Sequence, residues 1–163
     1  GTENGKFITT SYELGEYGAS NDAPEIKKRM QDKRDQKLTT FIQQEFTEDF
    51  YGYDIINPTA EKFFVTYGRN RFVLEDYMRK HPDQKVGLII IKVFQPFDLR
   101  LKTFLEKNNN QIQSLIFVEM NASGQLQRIV TEQCNLNNPM RNNKITHHRK
   151  YTLYPIFGEE ISL

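Results

Sequence analysis

The chain has 163 residues, 37% apolar and 12% aromatic, enough to build the core of one domain. Lys plus Arg (22) nearly balances Asp plus Glu (21), and the net charge of +1 gives no long-range pull toward nucleic acid. Charged residues at 26% mark a soluble protein, and the longest strongly apolar run, V-G-L-I-I-I at 86–91, is far too short to span a bilayer, so no nucleic-acid or membrane partner is expected.

The N-terminus, G-T-E-N-G-K, carries no apolar h-region, so no secretory signal is expected. K-F-I-T-T-S-Y (6–12) reads as a short strand, and G-E-Y-G-A-S-N-D (15–22) as turn chemistry. Asp22 is placed to cap a helix, with Glu25 three residues on and Pro24 in the first turn. That helix is densely charged up to Lys37, with only Ile26 and Met30 as apolar anchors. From Leu38 on, Leu38, Phe41, Ile42 and Phe46 recur at helical spacing. The first half therefore reads as solvated or turned toward a partner, and the second half as docked on a core.

Beyond Y-G-Y-D-I-I-N-P the pattern alternates. K-F-F-V-T-Y-G (62–68) is a strand run, and F-V-L-E-D-Y-M-R-K (72–80) a helix stopped by His81-Pro82. V-G-L-I-I-I-K-V-F (86–94) is apolar on both faces, as in a buried parallel sheet, and Pro96 breaks it. D-L-R-L-K-T-F-L-E-K (98–107) predicts a helix capped by Asp98, with Leu101, Phe104 and Leu105 inward. S-L-I-F-V-E (114–119) is a further buried strand, 124–134 a helix, and K-I-T-H-H-R-K-Y (144–151) a strand. G-E-E-I (158–161) reads as a short helical turn. Alternating strand and helix predicts an α/β fold with a mostly parallel sheet covered on both faces. In such sheets ligands and partners meet the loops at the carboxyl ends of the strands, here 67–71, 94–98 and 119–124.

These loops hold the candidate sites. In E-M-N-A-S-G-Q-L (119–126) Gly124 stands at a helix start, where backbone N–H groups can bind an anion. No dinucleotide fingerprint or P-loop accompanies it, and the plainer reading is a tight turn with Ser123 or Asn121 capping the helix. Gly68, Arg69 and Arg71 in Y-G-R-N-R are placed to meet a phosphate or carboxylate, or simply to be solvated or ion-paired. His147 and His148 are strand neighbours that point to opposite faces, and no third ligand is evident, so no metal site is expected. Cys134, the only cysteine, cannot form an intramolecular disulfide or hold an iron–sulfur cluster alone, which fits a reducing, cytoplasmic setting. It follows a helix, where exposure is expected, and has no activating neighbour in sequence. Glu159-Glu160 and Glu13 with Glu16 are paired carboxylates by sequence only. These residues alone describe a binding or structural domain with no catalytic group.

The order of the motifs resembles one family. T-S-Y-E-L-G-E-Y-G (10–18) followed by D-A-P-E-I-K-K-R-M-Q-D-K-R-D-Q-K-L (22–38) is similar to the segment after the pyrimidine-binding domain in 2-oxoacid:ferredoxin oxidoreductase alpha subunits. There a turn with E-Y-G precedes a charged helix of the form P-E-x-x-x-x-M-x-x-K-R-x-x-K-L. V-G-L-I-I-I-K-V-F-Q-P-F (86–97) resembles that family's strand-to-loop G-x-L-x-x-x-x-x-x-P-F-P. E-M-N-A-S-G-Q-L resembles its E-x-N-x-x-G-Q-L, and F-G-E-E-I (157–161) its closing stretch. The matches run in order over nearly the whole chain and look most like the C-terminal region of the 2-oxoglutarate type. Two positions depart: Gly68-Arg69-Asn70 replaces the usual G-S, and Asp98 replaces the last Pro of P-F-P.

The resemblance implies a three-layer fold like the transketolase C-terminal domain, with a five-stranded, mostly parallel sheet and one antiparallel strand. Residues 1–50 would be an approach segment and charged linker helix, and 51–163 the α/β domain. The parent enzyme would decarboxylate a 2-oxoacid on thiamine diphosphate, pass electrons through iron–sulfur clusters to ferredoxin, and form an acyl-CoA. Its partners would be a beta subunit carrying the thiamine diphosphate site and an upstream pyrimidine-binding domain. The chain itself would hold no cofactor and be inactive alone. Glu119, Asn121, Gly124 and Gln125 would orient a loop at an assembly face, with direct contact to coenzyme A as a further option. The alternative is a free-standing anion- or nucleotide-binding module that uses Arg69, Arg71 and Gly124.

Overall fold

Three runs that are apolar on both faces form the centre of a five-stranded sheet in the computed structural model of the chain. It describes residues 3, 5, 12–15, 18–137 and 144–163. The strands are β1 (Tyr53–Ile56), β2 (Lys62–Tyr67), β3 (Gly87–Ile91), β4 (Ser114–Glu119) and β5 (Lys144–Arg149), in the order β1-β3-β2-β4-β5. β1 pairs antiparallel with β3, Tyr53 opposite Ile91; all other neighbours are parallel. The expected α/β architecture, with one antiparallel strand on a mostly parallel sheet, is therefore present. The expected strand over 6–12 falls mainly on residues outside those described.

Helices α2 (Asn70–Lys80), α3 (Arg100–Lys107) and α4 (Gln125–Gln133) join the parallel strands. Side-chain alternation along each strand sorts the core into two layers. Phe63, Val65, Ile89, Ile91, Leu115 and Phe117 face Leu101 and Leu105 of α3 and Leu126 and Val130 of α4. Phe64, Leu88, Ile90, Ile116 and Val118 face Leu74 and Tyr77 of α2, and also Ile156 and Ile161 from the C-terminal segment. The polar Thr66 is tolerated in that second layer because its hydroxyl donates to the Val118 carbonyl at 2.7 Å. Gly87 opens β3 opposite Phe63, and a Cβ there would lie 2.3 Å from the ring, so the close approach of β2 and β3 requires a residue without one.

The chain divides into two compact units, Gly1–Glu45 and Phe46–Leu163. In the first, α1 (Pro24–Glu45) carries no buried residue. In its second half Leu38 and Phe41 are half-buried and Ile42 is 45% exposed. The helix is supported by local polar pairs instead, Lys28 to Asp32 at 2.8 Å and Gln31 to Asp35 at 2.9 Å, and by Arg34 reaching back to Glu13. Asn21 rather than Asp22 supplies the side-chain oxygen next to the helix start, accepting the Ala23 N–H. Glu16 lies outside the described residues, while Glu160 is held by Lys150 at 2.7 Å. Cys134 is not exposed as expected but fully buried in the same cluster as Leu126 and Val130.

Candidate functional site

The strand order fixes where a site can form. The chain leaves β2 toward α2 on one face of the sheet, and leaves the adjacent β4 toward α4 on the opposite face. Loops that diverge from neighbouring strands open a crevice at the carboxyl edge. The loops 68–69 and 120–124 border it. Here the crevice is bridged: the Arg69 guanidinium points across to Met120, with Nη2 3.7 Å from the sulfur.

Below Met120 lies Glu119, the last residue of β4, with no solvent exposure. A buried carboxylate needs donors on both oxygens. It has them from its own loop: Oε2 accepts the Leu126 N–H at 2.8 Å and Asn121 Nδ2 at 2.5 Å, and Oε1 accepts the Gln127 N–H at 3.3 Å. The negative charge therefore sits against the first turn of α4, where the helix dipole and unpaired N–H groups favour it. Asn121, one of the two expected caps, completes the arrangement by accepting the N–H groups of Gly124 (2.7 Å) and Gln125 (3.1 Å). Gly124 adopts φ 68°, a left-handed conformation, and is packed between Glu119, Gln127 and Arg149. Arg149 at the end of β5 donates to the Ala122 carbonyl at 3.0 Å, tying the loop to the edge strand. Three of the four residues singled out in E-M-N-A-S-G-Q-L thus form one closed network. The fourth, Gln125, joins through its backbone and leaves its side chain exposed.

The second candidate group is built differently. Gly68, at φ 59°, turns the chain out of β2, and the buried Asn70 begins α2. Arg71 is not open to an anion. Its Nη2 lies 2.9 Å from Glu75 and its Nη1 4.0 Å from Asp54, while Lys92 pairs with the same Asp54 at 2.7 Å. The shallow cleft of about 380 Å³ between these groups, walled by Tyr67, Gly68 and Phe94, is therefore close to charge-balanced.

One cluster at this edge escapes sequence reasoning. Asp98, expected as the α3 cap, does accept the Arg100 N–H at 3.1 Å, but it is buried and its other oxygen takes the Gly52 N–H at 2.9 Å. The Arg100 guanidinium forks onto the carboxylate, donates to the Thr47 and Phe50 carbonyls at 2.6 and 2.9 Å, and lies 3.8 Å from the Tyr51 ring centroid. Burial raises the Asp98 pKa more than any other single influence. The combined bonds from the Arg100 side chain, the Gly52 N–H and the Arg100 N–H outweigh it, so the carboxyl titrates below its usual 3.8. Burial first, and then the Asp98 charge, pushes the nearby Tyr53 hydroxyl up to about 12. This cluster fastens residues 47–52 to the start of α3. It offers no open group for chemistry.

The one cysteine is buried, and among the described residues no group of three or more His, Cys, Asp or Glu is placed to hold a metal ion. Among the described residues no helix is long and apolar enough to cross a membrane.

No protein-family model matches the sequence, and no curated protein matches it. Among solved structures, the chain is similar to the 2-oxoglutarate:ferredoxin oxidoreductase of Magnetococcus marinus, a structure with 2-oxoglutarate, coenzyme A and succinyl-CoA bound. The likeness has a TM-score of 0.67 at 22% identity and covers 98% of this chain. It covers 26% of that chain, so the sequence spans about a quarter of its structural relative. At this identity the likeness establishes the fold.

Proposed function

We propose that the chain is the C-terminal domain of the alpha subunit of a thiamine diphosphate-dependent 2-oxoacid:ferredoxin oxidoreductase of the 2-oxoglutarate type, and that it serves assembly rather than chemistry. The observation that carries this reading is the alignment of nearly all of this chain with about a quarter of such an enzyme's chain, over which the sequence motifs also fall in order. The parent enzyme would convert a 2-oxoacid to an acyl-CoA with electrons leaving to ferredoxin. Its partners for this domain would be the beta subunit that carries thiamine diphosphate and the upstream pyrimidine-binding domain.

The carboxyl edge supports an assembly role. Glu119 and Asn121 direct their hydrogen bonds to their own loop, which supports a role in shaping that surface. Beside that loop, the segment leaving β5 exposes Tyr151 (73%), Leu153 (99%) and Tyr154 (71%). It is not a loose tail. The Lys150 N–H bonds the Glu119 carbonyl at 3.1 Å, Lys150 Nζ grips Glu160 at 2.7 Å and the Pro155 carbonyl at 2.7 Å, and Ile156 is buried. Large apolar side chains held outward on an anchored segment are the usual sign of a protein contact. A free-standing anion binder at this edge is the poorer account, because Arg71 and Lys92 already face carboxylates and Arg69 turns to Met120.

The test is to place Leu153→Asp with Tyr154→Ser in the complete enzyme, alongside Gln125→Ala. The double variant is expected to lower the yield of assembled complex at least tenfold on size exclusion, while Gln125→Ala gives a smaller loss. Unchanged assembly and turnover in both would overturn the reading.

A further inference from the structure

The opposite, amino edge of the sheet carries a cleft of about 410 Å³ that the assembly reading does not use. That volume is within the range of small-molecule sites, roughly 300–1,000 Å³. Register explains its lining. Ser114 opens β4 with Lys62 of β2 beside it on one side and Lys144 of β5 on the other. The three residues share one face of the sheet, and one strand spacing separates each from the next, so the two lysine Cα atoms lie roughly 10 Å apart across Ser114. The next residues on the same face, Ile116 and Thr146, continue the wall, and His148 follows.

The charged side chains that line this cleft, Lys62 and Lys144, are both cationic, and Ser162 and Leu163 with its main-chain carboxylate complete the lining. No carboxylate side chain lines it among the described residues. Glu61, next to Lys62 in sequence, is engaged by Gln113 Nε2 at 2.8 Å. This contrasts with the carboxyl edge, where each candidate cation is neutralised or turned aside. Two flexible ammonium groups that flank hydroxyls over an apolar floor match the charge, donors and size of a phosphate-bearing small molecule.

We propose that this amino-edge cleft is a binding site for a small phosphate-bearing ligand, held by Lys62 and Lys144 with the Ser114 and Thr146 hydroxyls as donors. The proposal is independent of the assembly role, since none of these residues belongs to the carboxyl edge. The experiment is calorimetric titration of the 163-residue chain at low ionic strength with inorganic pyrophosphate and, separately, ADP. Saturable one-site binding is expected, weakened at least tenfold in the Lys62→Ala/Lys144→Ala variant. It should be kept within about threefold in Lys62→Arg/Lys144→Arg, where the charges remain, and left unchanged by Lys102→Ala on α3. Tighter binding of ADP would place the organic part of the ligand on Ile116, and equal binding would mean that the diphosphate group alone is read. No saturable binding of either probe, or equal affinity in the double alanine variant, overturns the proposal.

Discussion

Glu119 shows how a residue can look catalytic and act structurally. A fully buried carboxylate at the carboxyl end of a strand, beside a glycine turn, is where an enzyme would place an acid or base. Its two oxygens are instead consumed by the Leu126 and Gln127 N–H groups and by Asn121. The isosteric Glu119→Gln keeps the shape but turns an amide NH₂ toward at least one of these donors. Leaving a buried donor unsatisfied costs about 1–3 kcal/mol. For a chain of this size that lowers the thermal midpoint by roughly 2–10 °C. A calorimetric scan of the variant checks it, and an unchanged midpoint would mean that the loop is held by other contacts. The E-x-N-x-x-G spacing was legible in the sequence as a turn with a cap. The role of Glu119 was not, because it depends on donors seven and eight residues downstream that come into reach only once α4 has formed.

At the level of elements, β2, β3 and β4 could be read directly, since a strand apolar on both faces has few alternatives. β1 could not. Its four residues, Y-D-I-I, sit between Gly52 and Asn57-Pro58, and the sequence pattern assigns them no element. It is a strand because β3 presents an open edge from Leu88 to Ile91. The antiparallel strand entered the expectation through resemblance alone. The Asp98–Arg100 cluster was hidden for a related reason: its backbone partner Gly52 is 46 residues away. The cluster has a pH signature. The folded Asp98 carboxyl binds its proton more weakly than the unfolded one, so the folded state holds fewer protons near its titration. Its stabilisation is complete above about pH 4, the ordinary aspartate range, and is lost as pH falls through the lower folded value. Asp98→Asn should therefore destabilise the chain at pH 7, by about 2–3 kcal/mol given that Arg100 is one-third exposed, and the gap to the parent should narrow below pH 4. Urea unfolding at pH 7 and pH 3 measures this; a constant gap would show that the charge pair does not contribute.

For the molecule as a whole, composition and charge set the class, the strand pattern set the architecture, and neither set the function. The functional reading rests on the order of several weak motifs and on the fold that this chain shares with part of a much longer enzyme chain. Individually, G-Q-L or Q-P-F would carry little weight. Their spacing along one sheet is informative because each falls at a strand end or helix start, where the backbone limits what can stand. The same distribution explains the limits of the sequence: exposed apolar residues such as Leu153 and Tyr154 follow no period and leave no motif.

The central claim is that this domain belongs to a thiamine diphosphate enzyme assembly. The most direct measurement is to capture the chain from native extract and identify what comes with it by mass spectrometry. Recovery of a subunit that binds thiamine diphosphate, lost when Leu153→Asp and Tyr154→Ser are introduced, is the predicted result. Capture that yields no such subunit would contradict the account.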